Sequence, residues 1–351
     1  MRVLVTGHLG YIGPHAVDLL VRAGHDVTGV DLDLFAASAL YPLVEPQASR
    51  IMDFRDLAVD DLRGFDAIVH LAAISNDSMG TLDPELTRRV NLHGTVELAA
   101  RAKRAGVPRF LQASSCSVYG KTDDRPIAED GQPAPITVYA ETKIAVEHAL
   151  AELADASFSP TYLRNATAYG TSPRLRLDLV LNNLLASAYS TGVIRVLSDG
   201  TPWRPLIHCR DIARAFVFFL TARREAIHDQ AFNIGSGGET YQVRDVARLV
   251  GELLPASELS FAAGGGPDPR DYKVDFGKLE RTFPEFRLEY DLERGARELL
   301  ADFRRYGLPA DCLTGERFIR LAALRRRLAE GAIALAPAGE RTAQPHPVAS
   351  A

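Results

Sequence analysis

The stretch "VLVTGHLGYIG", Val3–Gly13, decides the fold. Before it, "RVLVT" (Arg2–Thr6) is a short apolar, β-branched run that reads as a buried strand. After it, Ile12–Ala23 reads as a helix that ends at Gly24. A strand that turns straight into a helix aims backbone amides and the positive helix end at one point. A diphosphate can reach that point only where no Cβ intervenes. Gly7 is expected to make the turn, Gly10 to admit the diphosphate, and Gly13 to let helix pack on strand, with Tyr11 and Ile12 beside them. The next strand, "DVTGVD" (Asp26–Asp31), ends in an acid eighteen residues beyond Gly13. An aspartate there can accept hydrogen bonds from adenosine ribose hydroxyls and would repel a 2′-phosphate. The pairing predicts NAD rather than NADP.

Working outward, strand-like and helix-like runs alternate. "AIVHLAA" (Ala67–Ala73), "RFLQASS" (Arg109–Ser115) and "PTYLRN" (Pro160–Asn165) read as strands. Pro84–Ala105 and Tyr139–Leu153 read as helices. This alternation predicts an α/β, Rossmann-type doubly wound parallel sheet over residues 1–165. Residues 166–310 read as mainly a smaller α/β substrate-binding domain, with returns to the sheet near 206–236, including "AFNIG" (Ala231–Gly235). Residues 311–335 carry "RFIRLAALRRRLAEG", an amphipathic basic helix, and the Pro/Ala-rich residues 336–351 read as a disordered tail.

Composition narrows the class. Of 351 residues, 46% are hydrophobic and 24% charged, enough for a sizeable core. The net charge of −5 argues against a nucleic-acid partner. Cys116, Cys209 and Cys312 fit no zinc spacing and cannot all pair, so no metal and a reducing compartment are expected. With no signal-like segment and no apolar stretch of membrane length, the expectation is a cytoplasmic protein without a membrane partner.

A second constellation joins "SSCSVYG" (Ser114–Gly120) to "YAETK" (Tyr139–Lys143). Tyr139 and Lys143 are four apart on a predicted helix and share a face. A free tyrosine titrates near ~10. A neighbouring cation, with the nicotinamide charge above, favours the phenolate, which can take a hydroxyl proton while hydride leaves. Ser115, at the end of a predicted strand, is placed to hold the substrate oxygen.

Together these residues resemble the extended short-chain dehydrogenase/reductase superfamily, and within it the nucleotide-sugar epimerase/dehydratase branch, over about Met1–Arg305. "TGHLGYIG" is similar to that branch's TGxxGxxG loop, and Ser115, Tyr139 and Lys143 match its catalytic triad, with Ser114 alongside. "MDFRD" (Met52–Asp56) resembles the segment whose acid contacts adenine, which implies Asp53 with Phe54. "HLAA" (His70–Ala73) and "NLHGT" (Asn91–Thr95) resemble cofactor-lining segments, implying Leu71, Ala72, Ala73 and Asn91. "LNNLL", "DGTPWRPLIHCRDIA" and "GPDPRDYKVDFGKL" resemble substrate segments, implying Asn183, Arg204 and Arg270 around a UDP- or dTDP-sugar. Ser75, Cys116, Ser117, Asn165 and Thr167 complete the implied substrate contacts. In relatives the matching helices pair two subunits as a four-helix bundle, so the resemblance implies a homodimer.

The departures matter. "LRNATAYG" carries Thr167 where the family usually has Asn, with Asn165 two places earlier. Dehydratases of the branch carry Asp-Glu after the triad Ser/Thr, and decarboxylating relatives keep Glu. Here the residues are Cys116 and Ser117, which disfavours elimination of water. The basic helix near the C-terminus lies outside the usual pattern. The resemblance therefore implies an NAD-dependent nucleotide-sugar epimerase, acting at C4 through a transient ketone. The alternatives are a 4-ketoreductase of a deoxysugar nucleotide, a nucleotide-sugar uronate decarboxylase and, in a different class, a non-catalytic NAD(H) sensor.

Overall fold

β1 (Arg2–Thr6) pairs in parallel on one side with β2 (Asp26–Asp31), which in turn pairs with β3 (Ala48–Ile51). On its other side the sheet continues through β4 (Ala67–His70), β5 (Arg109–Ser115), β6 (Ser159–Asn165) and the strand Gln230–Ile234, all parallel. The expected doubly wound parallel sheet is thus present, with seven strands. The computed structural model describes residues 1–121, 125–261 and 271–333. The expected tail, 336–351, lies outside the described residues.

Val3, Leu4 and Val5 of β1 are fully buried on both faces, as a central parallel strand with helices above and below requires. The chain runs one way from β1 to β3 and then crosses back to β4. The crevice between the carboxyl ends of β1 and β4 is therefore a topological switch point, where such sheets bind ligands.

Helix α1 (Gly13–Arg22) begins directly at the last glycine of the loop. The run 84–105, expected as one helix, divides into Pro84–Thr87, a π-helical Arg88–Gly94 and Thr95–Ala105, which Gly106 ends in a left-handed cap. The wider π turn places Asn91 where its amide clamps the backbone of Ile74, accepting from Ile74 N at 2.8 Å and donating to Ile74 O at 3.0 Å.

Two small sheets follow β6. Thr240–Gln242, Trp203–His208 and Thr167–Tyr169 form one, and Val193–Val196 with Glu258–Phe261 the other. Helices Val180–Thr191 and Leu292–Tyr306 pack with them around a separate core that includes Leu181, Leu185 and Phe303. The basic helix is shorter than expected, Arg320–Ala329, because Cys312 and Phe318 before it are drawn into that second core. No helix among the described residues is long and apolar enough to cross a membrane.

Candidate active site

Every strand of the sheet's central part ends at one cavity of about 830 Å³. Gly7, Gly10 and Gly13 follow β1, Asp31 ends β2, Leu71–Ala73 follow β4, Ser114 and Ser115 end β5, and Asn165 ends β6. Its wall also carries Asn183, Arg204 and Tyr272. This size suits a ligand site lined mostly by apolar groups with a few polar ones.

The three glycines divide their work as the sequence suggests. Gly7 has φ +78°, and a Cβ there would meet Ala72 N at 2.6 Å. A Cβ on Gly13 would lie 2.3 Å from Gly7 O and 2.6 Å from the His8 backbone. At Gly10 only Gly7 O, at 3.1 Å, comes within 4 Å, so the space a side chain would take opens on the cavity. Asp31 is fixed beside the loop by amide donors, Leu9 N at 3.0 Å and Asp33 N at 2.9 Å. An open cradle at Gly10, a fixed carboxylate at Asp31 and a long cavity fit NAD. The groups that could hold it are the loop with Tyr11 and Ile12, Asp31, Asp53, Phe54, Leu71, Ala72 and Ala73, all on the cavity wall. Asp53 is itself held by Arg55, with Nη2 2.7 Å from its carboxylate.

Tyr139, Lys143 and Ser115 meet at the middle of the cavity. Tyr139 and Lys143 sit in the helix Val138–Ala151, whose entry is capped by Thr137. Lys143 Nζ donates to Ala113 O at 2.6 Å and lies 5.5 Å from the Tyr139 ring centre. Ser115 Oγ accepts from Ser117 N at 3.1 Å, which orients the turn after β5. Enclosure pushes the Tyr139 phenol well above its ordinary value and Asp77 adds to this, against the hydrogen bond with Ser115 and the charge of Arg176. Burial likewise lowers Lys143 to about 8, against the attraction of Glu147.

Two expected contacts do not reach the cavity. Cys116 is fully buried and turns its thiol to Arg164 O at 3.0 Å, because the 3₁₀ turn Cys116–Tyr119 points it inward. Asn91 spends its amide on Ile74 and so shapes the wall without lining it. Ser117 and Asn165 do line it, and Ser117 Oγ and Asn165 Oδ1 are buried without a hydrogen-bond partner among the described residues. Ser75 and Thr167 line it as well, Thr167 lying 3.4 Å from the Tyr272 hydroxyl. Asn183 also lines it, its amide donating to Leu177 O at 2.9 Å. Arg204 lines it too, its guanidinium 5.8 Å from the Tyr272 ring centre. Arg270 lies outside the described residues.

Other groups at the site escaped the sequence reading. Glu147, one turn after Lys143, accepts from Ser114 Oγ at 2.5 Å and pairs with Arg164 at 2.6 Å, a buried ion pair beside β5 and β6. Its spacing of four from Lys143 was the available signal. Asp77 lines the cavity and accepts from Thr137 Oγ1 at 2.5 Å. Arg176 pairs with Asp178 at 2.8 Å, and both line the cavity. Nothing in their local sequence marks Asp77 or Arg176. Among the described residues no cluster of metal-ligating side chains occurs.

The chain is similar to known proteins. The profile of the NAD dependent epimerase/dehydratase family matches residues 3–235. A UDP-glucose 4-epimerase of Mycolicibacterium smegmatis is 34% identical over 80% of this chain and 89% of its own length. UDP-glucuronic acid decarboxylase 1 of Arabidopsis thaliana is 28% identical over 87% of this chain and 70% of its own. The structure of MoeE5 in complex with UDP-glucuronic acid and NAD superposes with a TM-score of 0.76 and 29% identity, covering 87% of this chain and 99% of that one. With a strand–glycine loop–helix that fits NAD, a Ser–Tyr–Lys centre in the same cavity and a family match across most of the sheet, the chain belongs to the NAD dependent epimerase/dehydratase family and is an NAD-dependent enzyme.

Proposed function

We propose that the enzyme is a nucleotide-sugar epimerase acting at C4. One observation carries this reading: a single cavity runs from the glycine loop past Ser115, Tyr139 and Lys143 to Arg204 and Tyr272, so a dinucleotide and a sugar nucleotide can share it. NAD supplies a hydride acceptor that can also return the hydride. Tyr139 takes the proton of the 4-hydroxyl and gives it back after the flat 4-keto sugar has turned over. Ser115 holds the C4 oxygen throughout, and Lys143, anchored on Ala113 O, fixes the position of Tyr139 and supplies positive charge near it. Arg204 offers a guanidinium fork to the substrate's diphosphate, a geometry that suits paired phosphate oxygens.

Asp77 supports a second reading. Cys116 and Ser117 offer no carboxylic acid, yet Asp77 reaches the same cavity from another loop and bears electrostatically on Tyr139. In that reading Asp77 protonates a leaving hydroxyl and the reaction is an elimination. Incubation of the NAD-loaded enzyme with UDP- and dTDP-hexoses and with UDP-glucuronic acid, with products followed by NMR, separates the two. A C4 epimer without mass change supports the epimerase, loss of water supports the elimination, and loss of carbon dioxide from a uronate overturns both.

A further inference from the structure

Residues 311–333 lie beyond the part of the chain that resembles the family, and Leu313, Ile319, Arg320, Leu321 and Ile333 among them line the cavity. Cys312 and Phe318 are buried in the core of the substrate-binding part, and Phe318 O accepts from Leu177 N at 2.9 Å. Leu324 is buried in the core beneath the dinucleotide-binding sheet, with Leu321 and Leu328 against it. Arg317 and Arg327 tie the segment to the carbonyls of Ala39 at 2.9 Å and Leu34 at 3.3 Å.

Arg320 lies between these two anchors, at the start of the helix Arg320–Ala329 and on the cavity wall. It is 2% exposed and stacks on Phe35, with Cζ 3.8 Å from the ring centre. One nitrogen donates to Arg174 O at 3.3 Å, while Nε and Nη1 are buried with no hydrogen-bond partner among the described residues. The acids around it are engaged elsewhere: Asp33 pairs with Arg174, Asp178 with Arg176, and Asp31 accepts from two backbone amides. A buried guanidinium with unused donors is costly, and an anion arriving through the cavity removes the cost. Burial first, then the charge of Arg176, holds Arg320 down to about 9. Its neighbours Phe35 and Arg174 lie on the dinucleotide side, beyond β2, where Arg174 donates to Phe35 O and Ala36 O. Arg204, in the reading proposed above, serves the other ligand.

We propose that Arg320 is a ligand for the diphosphate of NAD, carried by a C-terminal clasp that holds the dinucleotide in place. The proposal concerns binding and is independent of which reaction the enzyme performs.

The test is calorimetry of Arg320→Met and Arg320→Lys with NAD, ADP-ribose and UDP, together with the melting temperature of each unliganded protein. Arg320→Met should weaken both NAD and ADP-ribose ten- to a hundredfold, the range expected for one charge-assisted contact. UDP binding should be unchanged, and Arg320→Lys should fall between wild type and Arg320→Met. The unliganded Arg320→Met protein should melt no lower than wild type, because an unpaired buried charge has gone. Unchanged ADP-ribose affinity overturns the proposal. So does weakened UDP binding with ADP-ribose intact, which would hand Arg320 to the sugar nucleotide. A lower melting temperature with all three ligands weakened alike would make Arg320 structural and also overturn it. Should Arg320→Met fail to fold, Arg320→Lys alone decides, since a folded lysine variant with wild-type ADP-ribose affinity is equally fatal.

Discussion

Replacing Gly10 by alanine should separate the glycine loop's binding role from its folding role. The added Cβ would meet only Gly7 O, at 3.1 Å, so the loop must give by a few tenths of an ångström. Alanine also reduces the freedom of the unfolded chain, worth about 0.4–1 kcal/mol in favour of the fold. The two effects oppose each other, and stability should stay within ~1 kcal/mol of wild type. NAD affinity should nevertheless fall ten- to a hundredfold or more, because the methyl takes the space where a diphosphate must approach the loop amides. Losing one such charged hydrogen bond costs about 1.5–3 kcal/mol. Gly13→Ala gives the contrasting outcome. Its Cβ would sit 2.3 Å from Gly7 O and 2.6 Å from the His8 backbone, none of which can swing aside. Helix α1 must move away from β1, at about 3 kcal/mol or more by comparison with overpacked cores. Urea unfolding and NAD calorimetry on both variants measure the two quantities. If Gly10→Ala binds NAD as wild type does, the assignment of this loop to the diphosphate is wrong.

Further predictions concern the centre of the cavity, its far end and the acid side of the pH range. Tyr139→Phe should keep NAD binding and lose turnover by roughly 10²–10⁴, the usual range for a general acid–base, and near-normal turnover would remove Tyr139 from the mechanism. Arg204→Ala should weaken UDP binding ten- to a hundredfold and leave NAD untouched, which parallel calorimetry reads directly. Burial lowers His15 to about 4, His70 to about 3 and His208 to about 2. Unfolded histidines protonate near ~6.5, so below that pH the unfolded chain binds protons that the fold refuses, and stability falls as pH falls. The three together would lose about 4 kcal/mol between pH 7 and 5.5, but Glu239, raised by burial to about 7, takes up a proton in the fold over the same range and returns about 2 kcal/mol. A net loss of about 2 kcal/mol is expected, and equal urea midpoints at the two pH values would contradict it.

Local spacing made the fold legible. Strand, glycine loop and helix are consecutive in the chain, so backbone sterics alone position Gly7, Gly10 and Gly13, and Asp31 follows at the end of the next strand. Tyr139 and Lys143 share a face because helix geometry puts residues four apart on the same side. β3 (Ala48–Ile51) was missed because it is an edge strand with little burial, so no apolar run announces it.

Side-chain direction at strand ends was decided only by the tertiary structure. Cys116 and Ser117 are neighbours, yet the turn after β5 sends the thiol into the core and leaves Ser117 on the cavity wall. Asn91 belongs to a segment that resembles a cofactor-lining one, but the π turn gives its amide to Ile74. Asp77, Glu147 with Arg164, and Arg320 reach the site through contacts between residues far apart in the chain. Such contacts leave no periodic or spacing signature, because each depends on how separate elements pack. The sequence by itself determined a parallel sheet with an NAD loop and a tyrosine–lysine pair. Packing alone joined them into one cavity and laid an arginine some three hundred residues downstream against Phe35 beside the cofactor strand.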